Sequence, residues 1–232
     1  MKIHRFITKY RVKENNLVSI REREVIHQII RVLHLKKGEK IILLDGFGEE
    51  LFCDISEIKK DKISLMILDR KEGVLVNKNK TILFVSIVKR ENFELIAQKA
   101  GELGVTEVYP VIADRTVKLG FKKERVEKIM KEASELAGRA SIPILKNQIS
   151  FLEALNIAEN NQQNVFFDIG GLPDKKIRKA AESIGIFIGP EGGWSKEELE
   201  KIALKKNFLK ISLGKYTLRA ETAAIIGMYL VG

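Results

Sequence analysis

The chain is poor in cysteine, histidine, tryptophan and proline. Its 232 residues include one cysteine, one tryptophan, three histidines and four prolines. A lone thiol, Cys53, closes neither an internal disulfide nor a zinc site, and its place in the apolar run Leu51-Phe52-Cys53 makes it a packing residue. His4, His27 and His34 are scattered, with no His-Glu-x-x-His pair, and no serine sits in a Gly-x-Ser-x-Gly elbow. Metal-dependent and serine hydrolysis therefore drop out, and no metal is expected. The chain also lacks Gly-x-x-x-x-Gly-Lys-Ser/Thr and any Gly-x-Gly-x-x-Gly opening a helix, which removes the usual phosphate cradles. Apolar residues come in short runs, far below the roughly 20 in a row that cross a bilayer. The charged start Met1-Lys2-Ile3-His4-Arg5-Phe6 has no apolar stretch after it, so neither a membrane span nor a secretory signal is expected, and the location implied is cytoplasmic.

Charge is what the sequence has in surplus. Lysine and arginine number 41 against 31 acidic residues, a net charge of +10. The excess is shared: residues 1–73 hold 16 basic and 12 acidic groups, leaving 25 and 19 for the rest. Such a field attracts polyanions, nucleic acid first, although a lysine-rich solvated surface gives the same count.

The apolar pattern changes character near residue 70. Residues 23–33 place Val25, Ile26, Ile29, Ile30 and Leu33 on one helical face, and 39–45, 50–57 and 62–69 read as strands with a turn signal at Asp45-Gly46-Phe47-Gly48. The polar stretch 69–80 has no period and reads as a linker. Beyond it strands alternate with helices: a strand at 81–88, a helix with Phe93, Ile96, Ala97, Ala100 and Leu103 inward that stops at Gly104, and a strand at 107–113. A helix at 122–138 follows, with Val126, Ile129, Met130, Ala133 and Ala137 inward, and then strands near 165–169, 184–188 and 209–213. Ser150-x-x-Glu153 and Ser195-x-x-Glu198 are capping boxes that start two of the helices. The reading is a small β-rich module over 1–72 and an α/β domain with a parallel sheet over 73–232.

In open α/β sheets, ligands bind at the loops beyond the carboxyl ends of the strands. Two loops there stand out. Ile188-Gly189-Pro190-Glu191-Gly192-Gly193-Trp194 follows a strand and precedes the helix capped by Ser195; its glycines let backbone groups approach a ligand, though a tight turn would use them too. Leu213-Gly214-Lys215-Tyr216-Thr217-Leu218-Arg219-Ala220-Glu221-Thr222 follows the last strand and opens an apolar helix, where Glu221 suits the positive end of the helix dipole.

Together these two loops resemble the RsmE family of 16S ribosomal RNA (uracil-N3)-methyltransferases, within the SPOUT superfamily. The resemblance extends over nearly the whole chain: Arg5-Phe6, His27 with Val32-Leu33, Lys36-x-Gly38-Glu39, Asp45-Gly46, Lys99-Ala100-x-Glu102-Leu103-Gly104-Val105, Arg115, and Glu132-Ala133 with Arg139 and Pro143. His34, where the family has arginine, and Leu136, where it has glutamine, depart from the pattern. The resemblance implies an N-terminal PUA-like β-barrel over 1–72 that helps hold RNA, and a C-terminal SPOUT α/β domain over 73–232 tied into a trefoil knot. It implies S-adenosylmethionine as cofactor, gripped by Phe167, Ile188, Gly189, Pro190, Glu191, Gly192, Gly193, Leu213, Gly214, Leu218, Arg219, Glu221 and Thr222. The RNA contacts implied or suggested by charge are Arg5, His27, Lys36, Lys37, Lys89, Arg90 and Arg115. The expected partner is 16S ribosomal RNA in the assembled small subunit. A homodimer is also expected, because the last helix is apolar on nearly every side and family members pair through the knotted region.

Methylation of uracil N3 needs its proton to leave, and a positive group near the ring carbonyls would favour the anion. Arg139 and Arg219 are the candidates, although neither can serve as a base at neutral pH. Two other readings stay open on the residues: a SPOUT enzyme that methylates the ribose 2′-hydroxyl of another RNA, and an RNA-binding protein without activity.

Overall fold

A computed structural model of the chain describes residues 3–12, 14–72, 79–117, 120–172, 177 and 181–232. The chain divides into two units, Met1–Val76 with Ser134–Ile142, and Asn77–Ala133 with Pro143–Gly232.

In the first unit, short strands alternate buried and exposed side chains. β1 (His4–Ile7), β2 (Arg11–Val12) and β3 (Leu17–Ile20) precede α1 (Arg23–His27); β4 (Lys40–Leu44), β5 (Glu49–Lys59) and β6 (Lys62–Glu72) follow. They form one sheet in the order β1-β4-β5-β6-β3-β2, antiparallel except for the β1–β4 pair. Leu51, Cys53 and Ile55 on β5 face the same fully buried core as Ile63 and Leu65 on β6, which is the period of two that a half-buried strand produces. Two register shifts in the β5–β6 pair, at Phe52/Cys53 and Ile55/Glu57, bend this long hairpin. The helix expected over 23–33 is α-helical only to His27; Gln28–Val32 is a π turn in which Leu33 N–H donates to Gln28 O at 2.9 Å. The wider turn keeps Ile29 buried while Ile30 and Leu33 still pack on the core. β6 runs on to Glu72, so the first residues of the expected linker are strand, and 73–78 lie outside the described residues.

Residues 134–142 complete this unit from far along the chain. Ile7 N–H donates to the Glu135 carboxylate at 2.7 Å, Phe47 makes a β-bridge with Ser141, and Ala140 and Ile142 pack with Ile7, Ile42 and Leu44. A single cut at 72/73 leaves this segment out.

The second unit is built on β7 (Lys80–Ser86), α2 (Arg90–Glu102), β8 (Glu107–Ile112), α3 (Lys123–Ala137) up to Ala133, β9 (Ile144–Leu145), β10 (Ile149–Ser150) and α4 (Phe151–Ala158). After these come β11 (Gln163–Leu172), β12 (Ser183–Ile188), α5 (Lys196–Ala203), β13 (Phe208–Ile211) and α6 (Ala220–Val231). The sheet runs β10-β8-β7-β12-β11-β13 with β9 beside β8, and every pair is parallel. β7 and β12 are buried almost without a break, as strands covered on both faces are. Both capping boxes form: Ser150 and Ser195 each accept from the N–H three residues on, and Glu153 and Glu198 reach back. Gly104, at φ +84°, closes α2. On α3, Val126, Met130 and Ala133 are buried, but Ala137, expected to face inward, is exposed. The chain leaves β7 toward β8 on one side, while β12, β11 and β13 lie on the other. That reversal opens a crevice beyond their carboxyl ends.

Candidate functional site

Beyond β11, β12 and β13 lies a cleft of about 480 Å³. Three segments line it: Phe167 and Asp168 on β11, the loop 188–194 after β12, and residues 213–223 without Lys215, Glu221 and Thr222.

The loop after β12 is a tight turn in which Gly193 N–H donates to Pro190 O at 2.9 Å. Gly193 has φ +69°, in the left-handed region, and open space where a Cβ would stand, so its backbone angle rather than crowding calls for glycine. Gly189 is the opposite case: a Cβ there would lie 2.8 Å from Trp194 Nε1. Gly192 is braced from the segment after β8, where Arg115 donates from Nη1 to Gly192 O at 2.9 Å. The same stretch ties down the start of α5, since Asp114 N–H donates to Glu198 at 3.0 Å and Ser195 Oγ bonds the Asp114 carboxylate.

Trp194 forms the inner wall. Its ring packs 5.3 Å from Phe151 and 5.1 Å from Phe166, while Nε1 is buried with no hydrogen-bond partner. Phe167 presses on Gly227 of α6, where a Cβ would lie 2.5 Å from the ring, and Asp168 forms an ion pair with Lys210.

In the loop after β13, Gly214 takes φ +120°. Arg219 is the N-cap residue of α6, extended at φ −66° and ψ 153°, exposed, and without a side-chain capping bond. Glu221 and Thr222 do not line the cleft, contrary to expectation. Their motif runs past the start of α6, where the helix turns Glu221 inward and Thr222 out to solvent. Glu221 is 9% exposed, and its Oε2 is buried with no partner.

The cleft thus gathers eleven residues expected around a cofactor, Phe167, Ile188 to Gly193, Leu213, Gly214, Leu218 and Arg219. It adds Asp168, Trp194, Tyr216, Thr217, Ala220 and Ala223, which sequence reasoning had not singled out. All but Asp168 and Ala223 lie within the two motif loops, so the signal was there. Arg139 is not among the lining residues. It is buried in the first unit, and burial pushes its guanidinium down to about 10, still charged at neutral pH.

The residues expected to touch RNA are mostly exposed. His27, Lys36 and Lys37 on the first unit and Lys89 and Arg90 on the second are all solvent-facing. Arg5 is half-buried, with its guanidinium 3.6 Å from where a Gly138 Cβ would stand. Arg90 shares Glu94 with Arg125, at 2.9 and 2.7 Å, and these two hydrogen bonds hold the Glu94 carboxyl down to about 2. Arg115, also exposed, has one N–H committed to Gly192.

A family model described as RNA methyltransferase domain matches residues 76–231, and one described as RNA methyltransferase PUA domain matches 21–68. The "Ribosomal RNA small subunit methyltransferase E" of Rickettsia conorii is 30% identical over 97% of this chain and 93% of its own. The chain belongs to this methyltransferase E family. Its Aquifex aeolicus member is 28% identical over 92% of this chain and 93% of its own. Among solved structures, a putative methyltransferase of Legionella pneumophila in complex with S-adenosylmethionine superposes with a TM-score of 0.88, at 26% identity, over 100% of this chain and 97% of that one. Methyltransferase E of Neisseria gonorrhoeae, also bound to S-adenosylmethionine, gives 0.85 at 26% identity, over 98% and 95%.

The family's cofactor fits the residues present. The unpartnered Trp194 N–H, the backbone of the glycine turn and the space above Gly193 are what a polar, adenine-bearing ligand would need. Among the described residues no helix is long and apolar enough to cross a membrane.

Proposed function

We propose that this chain methylates N3 of one uridine in 16S ribosomal RNA, using S-adenosylmethionine bound in the cleft beyond β11, β12 and β13. Membership of the methyltransferase E family makes it an S-adenosylmethionine-dependent ribosomal RNA methyltransferase. The choice of uridine N3, in the assembled small subunit in the cytoplasm, is the proposal. The observation that carries it is the juxtaposition of the 188–194 turn with Arg219 in one cleft.

The reading extends to the fold. The six-stranded sheet of the first unit closes as a PUA-like barrel, with 1–72 as its main body, and the last elements of the second unit are threaded as a trefoil knot of the SPOUT kind. Two chains then pair through α6, whose Tyr229 is 71% exposed beside half-buried Ile225 and Ile226.

When bound, S-adenosylmethionine supplies an electrophilic methyl group on a positive sulfur. The chain has to hold the uracil in line with it and stabilise the ring once N3 loses its proton. Backbone groups of 188–193 and 213–218 orient the cofactor, and the aromatic wall of Phe167 and Trp194 excludes water from one side. Arg219, at the cleft and without a capping bond of its own, places a fixed positive charge where a uracil carbonyl gains negative charge. Arg139, the other arginine proposed, is buried in the first unit and does not line the cleft, so the role falls to Arg219. A guanidinium does not act as a base at neutral pH, so its part is electrostatic.

The test is nucleoside mass analysis of small-subunit RNA from cells with and without the gene, and after treating unmodified subunits with the purified protein. The expected product is 3-methyluridine. A ribose 2′-O-methyl product would move the chemistry to the sugar, and the absence of any new methyl group would leave only RNA binding.

A further inference from the structure

We propose that Phe47 is a stacking platform for an unpaired base of the RNA substrate; the inference rests on the ribosomal RNA reading above. Phe47 is 88% exposed, while Phe6, Phe84, Phe93, Phe166 and Phe187 are each fully buried. Burying a phenyl ring stabilises a fold by roughly 1.5–3 kcal/mol, and at this position the fold forgoes that gain.

The ring is held ready at the tip of the β4–β5 hairpin. One Asp45 carboxylate oxygen accepts from three successive N–H groups, those of Phe47 at 2.7 Å, Gly48 at 2.9 Å and Glu49 at 3.0 Å. Gly46 and Gly48 take φ +85° and +122°, so the turn on either side of the ring needs glycine. The β-bridge to Ser141 fixes the backbone of Phe47 from the other side. Little conformational freedom is left to lose on binding, which favours affinity.

The surroundings suit a nucleic acid. Phe47 falls inside the stretch that matches the RNA methyltransferase PUA domain. Residues 1–73 carry 16 basic against 12 acidic groups, and Lys36, Lys37 and Lys40 are exposed on this unit. The nearby carboxylates are committed: Asp45 to the turn, and Glu49 to Tyr10 and Arg70. The exposed ring offers what an unpaired base needs, a flat apolar face, on a unit whose surplus of basic side chains suits the phosphates.

The experiment measures binding of the full chain and of F47A, F47L and F47W to unmodified small subunits and to a short oligouridylate at fixed salt. Stacking of about 1–3 kcal/mol corresponds to a ~5- to 150-fold loss of RNA affinity in F47A and F47L, with F47W close to the parent. S-adenosylmethionine affinity, read by calorimetry, should be the same in all four and reports that the variants are folded. F47A binding RNA as tightly as the parent would overturn the proposal. So would F47L matching the parent while F47A is weak, since apolar bulk without a π-face would then suffice. A parent chain that binds neither RNA would sink the ribosomal RNA reading itself, a different and recognisable result.

Discussion

At the scale of single residues, the three glycines of the 188–193 loop serve three separate needs. Gly189 leaves room for the Trp194 indole, Gly192 offers its carbonyl to Arg115, and Gly193 takes a left-handed backbone angle. Only the last is a conformational requirement. An ordinary side chain there costs about 1–2 kcal/mol and a β-branched one more. Gly193→Val should therefore flatten or flip the turn, and S-adenosylmethionine binding by calorimetry should be lost while circular dichroism shows a folded chain. Near-native cofactor affinity in a folded variant would place the site elsewhere. The sequence announced these glycines, because three in five residues after an apolar strand are legible as a turn with a purpose. It did not announce Asp168, which follows Phe166 and Phe167 inside β11 with no punctuation. It overran at Glu221 and Thr222, because a linear motif does not show where the helix that carries its last residues begins.

At the scale of elements, helices and strands with a clean period were readable, and long-range partners were not. The stripe on α2 and both capping boxes appear where the spacing puts them. The π turn after α1 escaped because apolar residues at i, i+3 and i+4 suit an α-helix equally well. α6 shows the limit of reading burial from composition. Its sequence is apolar all round, yet only Ala220, Glu221, Ala224, Gly227, Met228 and Val231 are buried in one chain. The face left over, around Ile225, Ile226 and Tyr229, is where the proposed second copy would dock. Light scattering at micromolar concentration should give twice the 26.3 kDa chain mass, and Tyr229→Glu should return it to that mass. A parent that scatters as a single chain would remove the dimer from the proposal.

At the scale of the whole molecule, the surplus of basic residues sets how the chain meets RNA. Both parts of the sequence carry it, so the field is spread rather than concentrated in a tail. Affinity for small subunits should fall as salt rises, because each neutralised phosphate releases condensed counterions. With a handful of phosphate contacts, a fourfold rise in salt costs on the order of 10- to 100-fold in affinity. A binding constant indifferent to salt would mean that the lysines and arginines merely keep the protein soluble.

The segment Ser134–Ile142, which joins the first unit from beyond residue 133, also dictates an order of events during synthesis. Domains that are continuous in sequence fold as they emerge from the ribosome, N-terminal first. This one cannot finish on that schedule: the carboxylate that takes the Ile7 N–H, and the alanine that packs with Ile42 and Leu44, are made only after residues 77–133. At roughly 5–20 residues per second, the nascent sheet waits for seconds with an apolar seam uncovered. A fragment ending at residue 76 would wait indefinitely.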